Sequence, residues 1–174
     1  MRNLTIFQNT TILPVILKIT LGVFALFASA NITLPVKPVA VTLHTLVVMI
    51  IGLTYSRKES IATITSYLTC GALGMPFFGN MNGGILYLMG PVGGYYLGMV
   101  LACYAMPYLK EKYNLANLYN CIIGQILIYV PGVIWLSTFI GLEASLYKGF
   151  LVYIPSGIVK IILLLSILRA IKKS

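Results

Sequence analysis

Residues 71–98 read GALGMPFFGNMNGGILYLMGPVGGYYLG, and no Lys, Arg, Asp or Glu occurs anywhere between Glu59 and Lys110. A glycine cradle for nucleotide phosphates needs a lysine and a Ser/Thr in the order G-x-x-x-x-G-K-[ST], so this stretch is not one. An uncharged, glycine-broken segment between long apolar blocks reads instead as a loop lying against a membrane. Pro91 follows Gly90 as the first residue of a helix would. Gly90, Gly94, Gly98 and Ala102 recur every fourth residue, which lines small side chains along one helix face. Two readings of that face stand together: a close helix–helix contact, or a helix start whose Val92, Gly93 and Gly94 N–H groups look into a ligand pocket.

Working outward, the composition sets the class. Hydrophobic residues make up 59% of the 174 residues and charged ones 9%, against roughly 25% charged in soluble domains. The chain reads as an all-α integral membrane protein forming one domain over residues 1–174. Apolar blocks fall at about 12–30, 39–55, 61–78, 91–107, 117–140 and 150–169. Each is near the ~17 to 25 residues that a spanning helix needs. They predict six transmembrane helices, with the glycine-rich loop between the third and fourth. Gly71, Gly74 and Pro76 break the third early, and Pro131-Gly132 is expected to kink or locally unwind the fifth. Arg2, the first block and Ala28-Ser29-Ala30 imitate a cleavable signal peptide, but Lys18 interrupts the apolar run such a peptide needs and further blocks follow.

The net charge of +9 does not form a nucleic-acid-binding face, because the cations sit between blocks and at the ends. They report topology. Arg2, Arg57, Lys58, Lys110, Lys112, Arg169, Lys172 and Lys173 fall on one side of the predicted bilayer, and only Lys37 and Lys148 on the other. The positive-inside rule then makes both termini cytoplasmic in a multi-pass protein of the cell membrane. The loops at 31–38, 76–90 and 141–148 face outward, which puts the glycine-rich loop where a substrate arrives.

Little else suggests chemistry. The three acids, Glu59, Glu111 and Glu143, all lie in loops, so no buried carboxylate pair serves acid–base catalysis or ion coupling. This argues against an enzyme and against an ion-driven carrier. Cys70, Cys103 and Cys121 have no paired spacing, and His44 has no metal-ligand companion; neither a metal nor a cofactor is expected. Lys160 is more informative, since a cation at mid-membrane costs about 2.5 to 3.5 kcal/mol on insertion scales and none of the blocks offers it an acid. It shares a helix face with Ser156 and Gly157, just after Tyr153. Either a ligand carboxylate pairs with it or it snorkels to the outer surface; snorkelling is the reading for Lys18, near the cytoplasmic end of its block. Asn80 and Asn82 offer hydrogen bonds, while Phe77, Phe78, Tyr87, Tyr95 and Tyr96 suit either the wall of an apolar pocket or an interfacial belt.

Several short stretches, taken in order, resemble a known family. They are Pro38-Val39-Ala40-Val41-Thr42-Leu43-His44-Thr45, Gly71-Ala72-Leu73-Gly74-Met75-Pro76-Phe77-Phe78, Gly90-Pro91-Val92-Gly93-Gly94-Tyr95, Gly132-Val133-Ile134-Trp135-Leu136 and Ile154-Pro155-Ser156-Gly157-Ile158-Val159-Lys160. Together they are similar to motifs of the BioY proteins, the biotin-binding S components of energy-coupling factor (ECF) transporters. The resemblance implies six helices, a biotin site near the outer surface, and a complex with a transmembrane T component and two ATPases, in keeping with a chain that has no ATP motif. It implies binding without covalent chemistry. The candidate ligand contacts are His44, Asn80, Asn82, Tyr87, Gly93, Gly94, Tyr95, Ser156, Gly157 and Lys160. The small residues Gly22, Ala25 and Ser29 of the first helix are the expected contact with the T component. Where the family has Gln, Thr and Asp, this chain has His44, Val92 and Gly157. Either the site is rebuilt around the same vitamin, with Ser156 or a loop asparagine replacing the lost carboxylate, or the ligand is a different small carboxylate. A reporter fused after Ser174 is expected to be active only in the cytoplasm; activity outside would overturn the orientation of the glycine-rich loop.

Overall fold

The computed structural model describes residues 12–34 and 41–173; Arg2, Lys37, Pro38 and residues 39–40 of the second block lie outside them. The fold is helical. Helix α1 (Ile12–Asn31) covers the first apolar block. A two-residue antiparallel ladder follows, β1 (Thr33–Leu34) on β2 (Val41–Thr42), with Thr33 opposite Thr42. Such a short ladder has no periodicity to read in advance. It leads into α2 (His44–Thr54), eight of whose eleven residues are buried. Most of this helix is therefore enclosed by protein.

Helix α3 (Arg57–Ala72) starts four residues before the predicted block. Its start is fixed by a capping box: Ser56 Oγ accepts from the Glu59 N–H, and Glu59 accepts from the Ser56 N–H at 2.8 Å. Glu59 also pairs with Lys18 at 2.6 Å, while the Tyr55 hydroxyl donates to the Lys18 carbonyl at 2.8 Å. Lys18 thus ties α1 to the α2–α3 turn; it does not snorkel. The Lys110 ammonium likewise donates to the Leu53 carbonyl, at the C-terminal end of α2 where a cation is favourable.

The glycine-rich stretch holds a 3-10 turn (Gly79–Met81) and a short helix α4 (Ile85–Met89). It is sewn back onto the bundle by three hydrogen bonds: Gly84 N–H to Gly71 O at 2.7 Å, Tyr67 Oη to Phe77 O at 2.9 Å, and Met81 N–H to Asn31 Oδ1 at 2.8 Å. Gly90, Pro91 and Val92 form a turn in which the Gly93 N–H donates to Gly90 O at 3.0 Å. Helix α5 (Gly93–Tyr113) therefore begins two residues after Pro91, and it runs through Pro107 past the predicted end.

Helix α6 (Asn117–Ile140) is continuous through Pro131, with no unwinding there. A short helix α7 (Leu142–Gly149) occupies the expected loop at 141–148, a 3-10 turn (Leu151–Tyr153) takes the first residues of the sixth block, and α8 (Ile154–Lys173) forms the rest. Three stretches among the described residues are long and apolar enough to cross a membrane: Leu13–Asn31, Asn117–Ile140, and Leu142–Ala170, which combines α7 and α8.

The glycine ladder joins α5 to α6. A Cβ on Gly94 would lie 2.3 Å from Trp135 Cβ and 2.4 Å from Pro131 O, and one on Gly98 would lie 2.6 Å from Ile128 Cα and from Leu127 O. Trp135 Nε1 donates to Gly90 O at 2.9 Å, extending the contact into the turn. In α1, Gly22 packs on Thr63 and Tyr55, and Ser29 is buried with its hydroxyl on Leu26 O; of the three small residues expected on a partner-facing side, only Ala25 is exposed. Gly98→Ala is expected to destabilise the protein by about 1 to 3 kcal/mol, the usual scale of overpacking against backbone. Gly124→Ala should cost less, because its added carbon meets the flexible Met106 thioether. Thermal denaturation in detergent, followed by Trp135 fluorescence, checks the order; a Gly98 variant as stable as the parent would refute the close packing.

Candidate ligand-binding site

A cavity of about 640 Å³, counting its open mouth, lies where the end of α1, the starts of α2, α5 and α8, and the glycine-rich loop meet. Each wall follows from the local fold. The ladder β1–β2 delivers His44 and Thr45 at the first turn of α2. Tyr95 and Tyr96 are consecutive on α5, so their side chains diverge by about 100°. The Tyr95 ring lies over Gly132 and its hydroxyl donates to Gly149 O at 2.8 Å. Tyr96 turns the other way, with its ring 5.0 Å from Phe78 and 5.9 Å from His44. Tyr87 stacks on Phe78 at 5.3 Å. Beside it Asn80 is held at φ 58°, a left-handed conformation that asparagine tolerates. Tyr129 of α6 and Tyr153, 6.1 Å apart, complete an aromatic lining of five tyrosines.

Lys160 enters this cavity from α8. It is 5% exposed, its Nζ donates to Thr45 Oγ1 at 2.9 Å, and among the described residues no carboxylate pairs with it. A snorkelling lysine would expose its head; this one is turned inward. Two polar atoms on the cavity wall, His44 Nε2 and Tyr129 Oη, have no hydrogen-bond partner among the described residues. One cation, two unsatisfied hydrogen-bonding atoms and an aromatic lining suit a small molecule with an acceptor-rich or anionic end, a second polar group and an apolar body.

Of the residues expected at a site, the structure brings His44, Asn80, Tyr87, Tyr95 and Lys160 to the cavity wall. The other five lie elsewhere. Asn82 is exposed, with Nδ2 donating to Gly79 O at 2.8 Å. Gly93 and Gly94 face Leu88 O and Trp135, so their lack of a side chain serves packing. The Ser156 hydroxyl donates to Tyr153 O at 3.0 Å. Gly157 faces Gln125, whose Nε2 donates to its carbonyl at 2.9 Å. Phe77 and Phe78 form a layer behind the wall, against Tyr67. Tyr129 and Met99 were not anticipated. For Tyr129 a signal existed: with Gly132, Val133 and Leu136 it forms the i, i+3, i+4, i+7 stripe that faces inward in α6.

Residues 4–174 match the model of the BioY family. A probable biotin transporter BioY of Rickettsia prowazekii is 44% identical over 94% of this chain and 86% of its own. Biotin transporter BioY2 of Lactococcus lactis is 32% identical over 94% of each chain, and biotin transporter BioY of Thermotoga maritima is 28% identical over 87% of this chain and 93% of its own. Among solved structures, the S-component for biotin from an ECF-type ABC transporter superposes with a TM-score of 0.84 at 24% identity, covering 97% of this chain and 95% of that one. The two share a fold.

The packing at Gly157 generates its own test. A Cβ there would lie 2.6 Å from Gln125 Oε1, so Gly157→Asp must displace the Gln125 amide and lose its hydrogen bond, about 0.5 to 1.5 kcal/mol. The thermal stability lost by Gly157→Asp is expected to shrink in a Gln125→Ala background; strictly additive losses would show the two positions to be independent.

Proposed function

Because the chain belongs to the BioY family, we propose that it is the biotin-capturing S subunit of an ECF-type uptake transporter, binding its ligand without chemistry while partner ATPases supply the energy. The carrying observation is the buried Lys160 ammonium, which lines the cavity with a hydroxyl partner and no acid. Biotin offers a carboxylate at one end, a ureido group at the other and an apolar ring and chain between, which matches the chemistry of the wall. Lys160 takes the carboxylate, the tyrosines enclose the apolar body, and Asn80 and His44 add hydrogen bonds.

The remaining features fit this reading. Helices α1, α2, α3, α5, α6 and α8 serve as six spans, with both chain termini in the cytoplasm. Helix α2 is only about 16 Å long by its rise per residue, shorter than the hydrocarbon core, and eight of its eleven residues are buried in the protein. The cavity lies at one end of the bundle. The Lys18–Glu59 pair lies toward the other, with Arg57, Lys110 and Lys112, so the charge count that makes that end cytoplasmic turns the cavity mouth and the glycine-rich loop outward. The T component and ATPases of an ECF module are the expected partners. Ala25, on the exposed side of α1, is a candidate contact for the T component.

Purified protein titrated with biotin by calorimetry tests the proposal. Lys160→Met should weaken biotin about ten- to a hundredfold, the loss of one charge-assisted hydrogen bond. Biotin amide should bind the parent weakly and be nearly indifferent to the substitution. A Lys160→Met protein that binds biotin as tightly as the parent would remove the lysine from the site, and a parent that ignores biotin but binds another small carboxylate would change the ligand.

A further inference from the structure

Four buried side-chain atoms among the described residues lack a hydrogen-bond partner: His44 Nε2, Ser60 Oγ, Asn120 Oδ1 and Tyr129 Oη. Ser60 and Asn120 are not on the cavity wall, whereas His44 and Tyr129 are. His44 already belongs to the expected site. Tyr129 does not: its position falls outside every stretch that carries the family resemblance, and nothing about it in the sequence suggested a ligand.

The surroundings of Tyr129 explain why its hydroxyl stays unsatisfied. The residue is 5% exposed, and its ring is packed among Tyr95 at 6.5 Å, Phe150 at 6.0 Å and Tyr153 at 6.1 Å. The neighbouring Tyr95 hydroxyl is committed to Gly149 O. The ring is fixed from three sides, and the phenol O–H is left without a protein acceptor. A buried hydroxyl in that state destabilises a fold, and phenylalanine would fill the same space without it. The arrangement makes sense if the hydroxyl's partner is the ligand.

Its place along the cavity says which part of the ligand. Tyr153, which touches Tyr129, ends the 3-10 turn just before α8, whereas Lys160 lies nearly two turns into that helix, about 9 Å of rise from its start. Lys160 is anchored on the α2 side by Thr45, and Tyr129 on the α6 side. A ligand whose two polar ends are separated by fused rings and a four-methylene chain has one end for each. Resting on the reading that biotin is the ligand, we infer that the Tyr129 hydroxyl is a second recognition group, hydrogen-bonded to the polar end of the ligand that Lys160 does not hold.

The test compares Tyr129→Phe with the parent in two measurements. Without ligand, the thermal midpoint in detergent should stay the same or rise, because an unsatisfied hydroxyl has been removed; a structural role would lower it. Biotin affinity should fall about three- to tenfold, as for one neutral hydrogen bond. Biotin amide and 2-iminobiotin, altered at the carboxyl and at the ureido end respectively, then locate the contact. Tyr129→Phe and Lys160→Met should each become neutral toward a different one of the two analogues. Unchanged biotin affinity in Tyr129→Phe, a lowered midpoint without ligand, or sensitivity of both variants to the same end would overturn the inference. The parent titration keeps the two proposals apart: if the parent does not bind biotin the functional reading fails, whereas a parent that binds biotin beside an equally tight Tyr129→Phe protein refutes only the role of Tyr129.

Discussion

Helices α5 and α6 approach so closely that backbone meets backbone, and much of the cavity depends on that contact. Gly94 and Gly98 pass Trp135, Pro131, Leu127 and Ile128 at distances that leave no room for a Cβ. Pro131 has no N–H and so cannot satisfy the Leu127 carbonyl in the usual helical way. That carbonyl is turned toward the bare face of Gly98, where only glycine lets the neighbouring helix pass. Gly132 then admits the Tyr95 ring against α6, and the Tyr95 hydroxyl reaches on to Gly149 at the end of α7. A rotation of α5 by one residue would swing Tyr95 and Tyr96 by about 100° and dismantle two walls of the cavity together. The proline expected to kink or locally unwind α6 is thus part of the interface that fixes α5.

The second constraint is electrostatic. The chain has two cations within its apolar blocks, Lys18 and Lys160, and the structure treats them differently. Lys18 receives Glu59, and the pair joins α1 to the turn between α2 and α3. Lys160 receives only the Thr45 hydroxyl, with Glu111 and Glu143 exposed elsewhere. Removing an ammonium from water costs several kcal/mol even after relaxation, and a lone hydroxyl offsets little of it. With an aspartate at 157, one helical turn away, the lysine would have a partner within its own helix. Gly157, covered by Gln125, removes that option and leaves the positive charge of the cavity uncompensated by the chain.

The apolar blocks, the glycine ladder and the oddity of Lys160 were legible because each is a statement about burial, which composition and helical spacing record directly. The boundaries of α2 and α3 were less so. The Ser56–Glu59 capping box was present in the sequence and marks the start of α3, but the apolar pattern begins later and prevailed. The ladder β1–β2 rests on two residue pairs, too few for any period, and α7 mixes Leu142 and Leu146 with Glu143 and Lys148 as a surface loop would. On the cavity wall, Lys160, Tyr87, Tyr95, Asn80 and His44 were legible through their polarity or aromaticity. Tyr129 was missed because a tyrosine in an apolar block reads as filler, and only tertiary packing shows that its hydroxyl has nowhere to bond. Gly93, Gly94 and Gly157 are the opposite case: absence of a side chain suggested access for a ligand, and the space beside these backbones is taken by Leu88, Trp135 and Gln125.

These constraints bear on how the proposed ligand would be released as much as on how it is bound. The wall is assembled from the end of α1, the start of α2, the glycine-rich loop, α5, α6 and α8, so several elements hold the ligand at once. Each unsatisfied atom that strengthens capture also raises the cost of the empty cavity, since Lys160, His44 Nε2 and Tyr129 Oη would all return to an unpartnered state when the ligand leaves. A protein that binds by relieving such costs is stabilised by its ligand in proportion to RT ln(1 + [L]/Kd), and the same free energy resists unloading. A site that captures by satisfying such groups is emptied only at a cost equal to what capture gained, so the chemistry of the wall sets retention as well as affinity.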